Sequence, residues 1–259
     1  MPLPRVIPCL LFRAQGLVKT ERFKKPVYLG DPINIVRIFN DKEVDELVFL
    51  DITATREQRG PNVKTLAEIS SECFMPLAYG GGISSIQQMQ ELFSLGIEKI
   101  VLNSHALENP ALVQQAAEKF GSQSIVISID AKQQLFGRHR MFSHCGTHKT
   151  PWEPAAYASK MQAMGAGEIL LNSINRDGTM QGYDLALISK VASAVDIPVV
   201  ACGGAGKLQD LRMAIAAGAS AVAAGSFFVF QGPHRAVLIH FPSVQELQET
   251  FRVDLPLPT

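Results

Sequence analysis

The sequence has few cysteines, and none of them are closely spaced. Its four cysteines stand at positions 9, 73, 145 and 202, mostly within apolar stretches and without a CxxC pair. Disulfide-stapled secreted domains and structural zinc sites both need closely spaced cysteines. We therefore expect reduced thiols in a cytoplasmic protein, and no disulfide framework.

The chain also lacks an excess of charge of either sign. Lys and Arg together number 24, as do Asp and Glu, so the formal net charge is zero. Binding to nucleic acid or to an anionic membrane relies on a basic surface. We expect neither as a partner.

A membrane-spanning run is missing as well. The apolar run 6–12 is too short for a signal peptide and is followed by no small-residue cleavage site. The 18 residues 213–230 carry no charge, but Gly218 and Gly225 divide them into a helix end and a strand. This punctuation indicates a buried core segment and no membrane span.

What the sequence does have is a repeat built on glycine-rich turns. An apolar strand runs into Gly80-Gly81-Gly82, and a second one runs into Gly203-Gly204. Gly81 and Gly203 stand 122 residues apart, and the same offset carries VLNS at 101–104 onto AAGS at 223–226. A period this long indicates a duplicated half-domain, with halves of roughly 1–121 and 122–259.

Strand-like and helix-like segments alternate eight times. Apolar runs without alternation, typical of strands buried on both faces, fall at 6–11, 47–51, 77–79, 100–103, 124–130, 169–172, 198–202 and 221–225. Helical patterns fall at 32–44, 63–73, 86–95, 110–120, 154–164, 185–195, 208–217 and 244–251. No linker separates two domains. The sequence predicts one α/β domain over 1–259, a (β/α)₈ TIM barrel.

Such a barrel brings the ends of all eight strands to one mouth. Each glycine-rich turn would leave backbone N–H groups free at a helix N-terminus, an arrangement that suits phosphate. One predicted subsite comprises Gly81, Gly82, Asn103 and Ser104, and the other comprises Gly178, Gly203, Gly204, Gly225 and Ser226. We expect a phosphorylated small molecule across the mouth. The alternative is that these glycines only let helices pack close to strands.

Polar side chains follow several strands at the same mouth. Asp51, Asp130, Asn172 and Asp177 stand at or just beyond strand ends. Asp130 ends an otherwise apolar strand and is the first candidate for a general acid or base. The internal repeat pairs it with Leu11, which cannot carry a proton.

Two segments are longer than ordinary βα loops, and loops of this length are often lids. Residues 12–30 contain Lys19, and residues 132–151 contain His139, His144, Cys145 and His148. The spacing H-x₄-HC-x₂-H matches no established zinc site. We expect no metal and no cofactor.

Four charged residues stand at the opposite end of the barrel, each just before a strand: Arg5, Glu46, Lys99 and Glu168. Charges at strand starts are commonly solvated. These four could instead form one ring that closes the bottom of the barrel.

With these residues in view, the chain resembles the HisF family, the cyclase subunits of imidazole glycerol phosphate synthase. The matching motifs are RVIPCL at 5–10, DELVFLDITA at 45–54, GGGI at 80–83, DAK at 130–132, GAGEILL at 165–171, RDGT at 176–179 and GGAGK at 203–207. The resemblance implies a bisphosphorylated ribulosyl aminoimidazole substrate, bound in part by Lys19, Asp51 and Asp177. It also implies a glutaminase docked on the bottom against Asp45 and Glu98, with an ammonia gate at Arg5, Glu46, Lys99 and Glu168.

The chain departs from the family pattern at Leu11, where the resemblance leads one to expect the Asp that pairs with Asp130. Asn172, Asn175 and the tail GPHR at 232–235 depart as well. This pattern of departures is similar to that of a HisF-like paralogue group encoded with surface-polysaccharide genes, in which a HisH-like glutaminase supplies ammonia to a sugar amidotransferase. Three hypotheses stay open: an ammonia conduit for such a step, an active cyclase of histidine biosynthesis, and a regulatory phosphate sensor.

Overall fold

The computed structural model describes residues 3–14, 16–134, 137–232 and 234–252. Eight parallel strands close into a barrel: β1 (Arg5–Arg13), β4 (Leu47–Asp51), β5 (Leu77–Gly80), β6 (Lys99–Leu102), β7 (Ile125–Gln133), β10 (Glu168–Ser173), β11 (Val199–Cys202) and β12 (Ala221–Ala224). They pair in that order, and β12 pairs with β1 to complete the circle. The predicted (β/α)₈ fold is confirmed. The predicted 1–259 domain also includes residues 1, 2, 15, 135, 136, 233 and 253–259, which lie outside the described ranges.

Helices follow the barrel strands and pack around them. They are α1 (Pro32–Asp41), α2 (Val63–Glu72), α3 (Ile86–Ser94), α4 (Ser104–Glu108), α5 (Ala111–Phe120), α6 (Pro154–Ala163), α7 (Leu185–Ala192), α8 (Leu208–Ala216), α9 (Ser226–Val229) and α10 (Val244–Thr250). The Asp31 side chain caps α1 by accepting the Asn34 N–H at 3.0 Å, with Pro32 in the first turn. The Ser85 side chain caps α3 by accepting the Gln88 N–H.

Alternating side chains on each strand divide the core into two layers. The outer layer, between strands and helices, includes Val6 and Phe49, whereas the barrel interior holds Ile7, Val48 and Val101. Because side chains alternate along a strand, Arg5, Ile7, Cys9 and Leu11 all face the interior. This register places Arg5 at the bottom of the barrel and Leu11 at its mouth.

The two segments predicted to be long loops are instead β-hairpins. After β1, the chain forms β2 (Gly16–Glu21) and β3 (Lys24–Gly30), and after β7 it forms β8 (His139–Ser143) and β9 (His148–Lys149). Each hairpin pairs antiparallel with the upper part of its own barrel strand, so that Leu11 faces Val18 and Asp130 faces Phe142. Their equivalent placement in the two halves matches the internal repeat.

Short helices directly after β6 and β12 were not predicted. α4 has five residues and α9 has four, which is too few for a helical period to show in the sequence. The uncharged run 213–230 is divided among α8, β12 and α9. Among the described residues, no helix is long and apolar enough to cross a membrane. The tail folds back as β13 (Phe230–Gln231) paired with β14 (Ala236–Val237).

Candidate active site at the barrel mouth

A cavity of about 270 Å³ opens at the carboxyl ends of the strands. It brings together every mouth residue named from the sequence: Leu11, Lys19, Asp51, Gly81, Gly82, Asn103, Ser104, Asp130, Asn172, Asp177, Gly178, Gly203, Gly204, Gly225 and Ser226. Ligand sites of (β/α)₈ barrels are built at this face. The shared position is therefore a fact of the fold, whereas ligand binding by these residues stays a prediction.

Asp130 is the carboxyl group of this cavity that is suited to proton transfer. The side chain is buried, and its one hydrogen bond in the described structure comes from Asn103 Nδ2, at 3.1 Å. Burial, with a further contribution from the charge of Asp177, raises the pKa of Asp130 from 3.8 to about 7. A carboxyl group that titrates near neutrality can both donate and accept a proton at physiological pH.

Asp51 is held in structural bonds. Its Oδ2 accepts from Arg59 at 2.8 Å, and its Oδ1 accepts the backbone N–H groups of Thr53 and Ala54 at 3.0 Å. These charge-assisted bonds cap the turn after β4 and occupy both carboxylate oxygens. Asp51 is thus a poor substitute for a second proton-transfer group.

Asp177 is held in a similar way, by the hairpin β2–β3. Lys19 Nζ lies 2.5 Å from Oδ1, while Thr20 Oγ1 and the Phe23 N–H donate to Oδ2 at 2.8 and 3.1 Å. Arg22 N–H also donates to the Asp177 carbonyl, at 2.9 Å. Asp177 therefore fixes the hairpin against the turn 176–178, and the Lys19 ammonium is paired with the Asp177 carboxylate.

Chain packing demands glycine at several of these positions, among them Gly82 and Gly178. Gly82 and Gly178 have φ of +68° and +72°, and a Cβ on either would lie 2.3 Å from a carbonyl oxygen, of Arg59 and Thr20 respectively. The packing explanation that the sequence left open is therefore true of these positions. It is compatible with anion binding, because both glycines also line the cavity.

Ser104 and Ser226 begin the two short helices in equivalent places. Ser104 follows Asn103 at the start of α4, and Ser226 follows Gly225 at the start of α9. The Ser104 hydroxyl already accepts the His144 N–H at 3.0 Å, so the hairpin β8–β9 is fastened to the first subsite.

Leu11 and the two asparagines differ in their roles. Leu11 pairs with Leu50 across β1 and β4 and turns its apolar side chain to the cavity. Asn172 is buried at the cavity, and its Oδ1 has no hydrogen-bond partner in the described structure. Asn175 instead accepts the Gln133 N–H at 2.8 Å and anchors the end of β7.

The histidines and the cysteine of the second hairpin do not converge. His139 Nε2 lies 2.8 Å from Asp184, His144 packs on His148, and Cys145 Sγ donates to the Ile52 carbonyl at 3.0 Å. Burial, followed by the charge of Asp130, raises the pKa of the Cys145 thiol to about 12, which keeps it protonated. Within the described ranges no three metal-ligating side chains form a group.

Sequence reasoning missed several cavity residues. Arg13, Phe23 and Arg56 also line the mouth. Arg13 could have been found, because it lies two residues beyond Leu11 on a strand that continues to Arg13. The others come from the turn after β4 and the hairpins, and their sequence carries no signal of this placement.

The four charged residues at the bottom form one ion-paired ring. Arg5 donates to both Glu46 and Glu168, and Lys99 Nζ lies 2.8 Å from each of the same two carboxylates. Both glutamates are buried, whereas a third of the Arg5 side chain is exposed. Of the two interpretations of these residues, solvated charges or a ring, the structure has the ring.

Asp45 and Glu98 are exposed beside this ring. Asp45 accepts the Val6 N–H at 2.9 Å, and the Glu98 N–H donates to the Leu77 carbonyl. Their position on the bottom face agrees with the prediction. A role in binding a partner stays a prediction.

A barrel with a polar cavity at the carboxyl ends of its strands, and one carboxyl group that titrates near neutrality, has the architecture of a (β/α)₈-barrel enzyme. The model of the family described as "Histidine biosynthesis protein" matches residues 5–234. The chain belongs to this family, as a HisF-like imidazole glycerol phosphate synthase subunit.

Relatives match along nearly the full chain. A protein of Pseudomonas aeruginosa, provisionally named imidazole glycerol phosphate synthase subunit hisF2, is 52% identical over 94% of this chain and 97% of its own length. A provisionally named subunit HisF of Leptospira interrogans is 47% identical over 96% of this chain and 98% of its own. The imidazole glycerol phosphate synthase subunit HisF of Alkaliphilus metalliredigens is 42% identical over 86% and 89%.

Proposed function

We propose that this barrel docks a HisH-like glutaminase on its bottom face and conducts ammonia through its interior to the mouth, where a phosphorylated small molecule binds. The ammonia then serves a sugar amidation in surface-polysaccharide biosynthesis, with a sugar amidotransferase as a further partner. The observation that favours this function over cyclisation is that Leu11, which cannot carry a proton, lies opposite Asp130 in the cavity.

The ring at the bottom supports the conduit. The layer directly above it is apolar, with Ile7, Val48, Ala78 and Val101. Neutral ammonia passes an apolar interior without the desolvation cost that excludes ammonium. The ring closes the lower end, and movement of the partly exposed Lys99 side chain would open it.

The mouth supports delivery rather than cyclisation. Asp51 and Asp177 are bound to Arg59 and Lys19, which leaves Asp130 as the one carboxyl group of the described cavity that has no ion-pair partner. A mechanism with separate acid and base needs two groups that are free to exchange protons.

The conduit is tested by Lys99→Met in the complex of the full chain with its own glutaminase. The assay includes the sugar amidotransferase and its acceptor, so that conducted ammonia is consumed. Glutamine hydrolysis should continue in Lys99→Met, while a larger share of the ammonia escapes to bulk solvent, where a coupled glutamate dehydrogenase assay detects it. Lys64→Met, at an exposed position on α2, is the matched control and should release no more ammonia than the parent. Unchanged retention of ammonia in Lys99→Met would contradict the gate.

Active cyclisation is the second candidate, and the neutral-range pKa of Asp130 favours it. In that case Asp130→Asn abolishes turnover of the ribulosyl aminoimidazole carboxamide bisphosphate with ammonium salt. Unaltered turnover in this variant excludes cyclisation at this site.

A further inference from the structure

Arg235 reaches the second predicted anion subsite from the C-terminal tail. Its guanidinium donates to the Gly178 carbonyl at 2.7 Å, to Ser226 Oγ at 3.4 Å and to Glu21 at 3.1 Å. It lies over the Phe230 ring, 4.8 Å from the centroid. Gly178 and Ser226 both line the cavity, so the guanidinium stands directly beside its wall.

The backbone at Arg235 is in a conformation that arginine seldom adopts. Its φ is +51°, in the turn between β13 and β14. Glycine or asparagine takes this conformation at lower cost. Such a conformation persists where surrounding contacts hold it, and the Arg235 side chain makes such contacts with Gly178 and Phe230.

The charge of this subsite has to come from a residue other than Lys19. The Lys19 side chain passes beside Gly225, but its ammonium is buried and bound to Asp177 at 2.5 Å. The partner of Arg235 is Glu21, whose side chain is half exposed at 49%. Solvent screens such a pair, so the guanidinium can exchange this partner for an anion at little cost.

The chemistry of the guanidinium suits phosphate. It carries five N–H donors in a planar fork that matches phosphate oxygens. The guanidinium is held in place by the Phe230 ring beneath it and by its hydrogen bonds to Gly178 and Ser226. A phosphate accepting from the Ser226 hydroxyl would meet the positive charge immediately behind it.

We propose that Arg235 supplies the positive charge of the second anion subsite, formed by Gly178, Gly203, Gly204, Gly225 and Ser226, and that Glu21 competes with the anion for it. Arg235 is a specificity-determining residue for the phosphorylated end of the ligand. The inference rests on the proposed function, from which it takes the phosphorylated ligand.

The test is a titration of the full-length protein with inorganic phosphate, followed by the amide NMR signals of Gly204 and Ser226. The signals of Gly82 and Ser104 report the other subsite as an internal control. Arg235→Gln should weaken phosphate binding about tenfold at Gly204 and Ser226, since it removes a charge-assisted contact. Arg235→Lys, which keeps the charge but loses the planar fork, should weaken binding less than Arg235→Gln does.

The Glu21→Gln variant distinguishes two roles of Arg235, as a structural tether of the tail or as the source of positive charge for the anion. Loss of a tether would leave affinity unchanged or lower, whereas loss of the competing carboxylate should raise affinity a few-fold. We expect all of these variants to fold, because main-chain bonds from Leu238 to Val229 and from His240 to Phe228 hold the tail.

Equal weakening by Gln and Lys, or none by Gln, would overturn the role of Arg235 and leave the proposed function intact. Absence of phosphate-induced shifts at Gly204 and Ser226 in the parent protein would overturn this inference together with the ligand site of the proposed function.

Discussion

Replacing Asp130 by asparagine should change how the stability of the barrel depends on pH. Asp130 is buried, and its pKa rises from 3.8 to about 7, chiefly through burial and then through the charge of Asp177. The folded state therefore keeps a proton that the unfolded chain loses near pH 4. Its contribution to stability is complete below that pH and is lost as pH rises through 7.

The size of the effect follows from the shift in pKa. A change from 3.8 to about 7 corresponds to roughly 4 kcal/mol, lost at up to about 1.4 kcal/mol for each pH unit. The asparagine side chain of the variant would carry no charge and could still accept from Asn103 Nδ2. The free energy of unfolding of Asp130→Asn, minus that of the parent, should rise by up to about 4 kcal/mol between pH 4 and pH 8.

Urea unfolding at pH 4, 5, 6, 7 and 8 measures this difference, with the single tryptophan, Trp152, as the fluorescent reporter. Taking the difference between the two chains cancels groups that titrate alike in both. Asp41→Asn, at an exposed carboxylate on α1, controls for the loss of a carboxylate as such. A difference that stays constant over this pH range would refute the reasoning.

Two further substitutions test the mouth. Leu11→Asp supplies the missing second carboxyl group and should raise ammonium-dependent cyclisation by about 10²–10⁴; Leu11→Asn is the control, and equal rates in the two variants would contradict a proton-transfer role for this position. Gly178→Ala should lower the free energy of unfolding more than Gly232→Ala, because both glycines have φ of +72° but only at Gly178 does a Cβ approach an atom closely, 2.3 Å from Thr20 O. Both variants share the backbone strain of about 1–3 kcal/mol, so the difference between their free energies of urea unfolding reports the contact with Thr20 O alone. Equal losses of unfolding free energy in the two variants would contradict this prediction.

Much of the fold could be predicted from local pattern. The barrel strands are buried on both faces and end at Gly or polar residues, so their limits agree with the structure to within a residue or two, except where β1 and β7 run on into hairpins. Hairpin β2–β3 escaped prediction because Lys19 and Thr20 are buried against Asp177. Burial of these polar residues removes the alternation that marks a half-exposed strand.

The candidate site, too, could be predicted from the sequence only in part. Asp130 and the glycine-rich turns could be found because each stands at a strand end, a position the barrel places at its mouth. The neutral-range pKa of Asp130 and the engagement of Asp51 by Arg59 depend on contacts and burial that no spacing encodes. Arg235 lies 57 residues from Gly178, in a tail that the sequence marks only as a departure from the family pattern, so only the folded chain reveals their contact.

The central claim, delivery of ammonia without cyclisation, is tested most directly by a cyclase assay on the purified chain. The protein is supplied with ammonium salt and the ribulosyl aminoimidazole carboxamide bisphosphate, with no glutaminase present. We predict a turnover lower by about 10²–10⁴ than that of a family member carrying Asp at the position of Leu11. Turnover equal to that of the Asp-containing member would contradict the claim and identify a working cyclase.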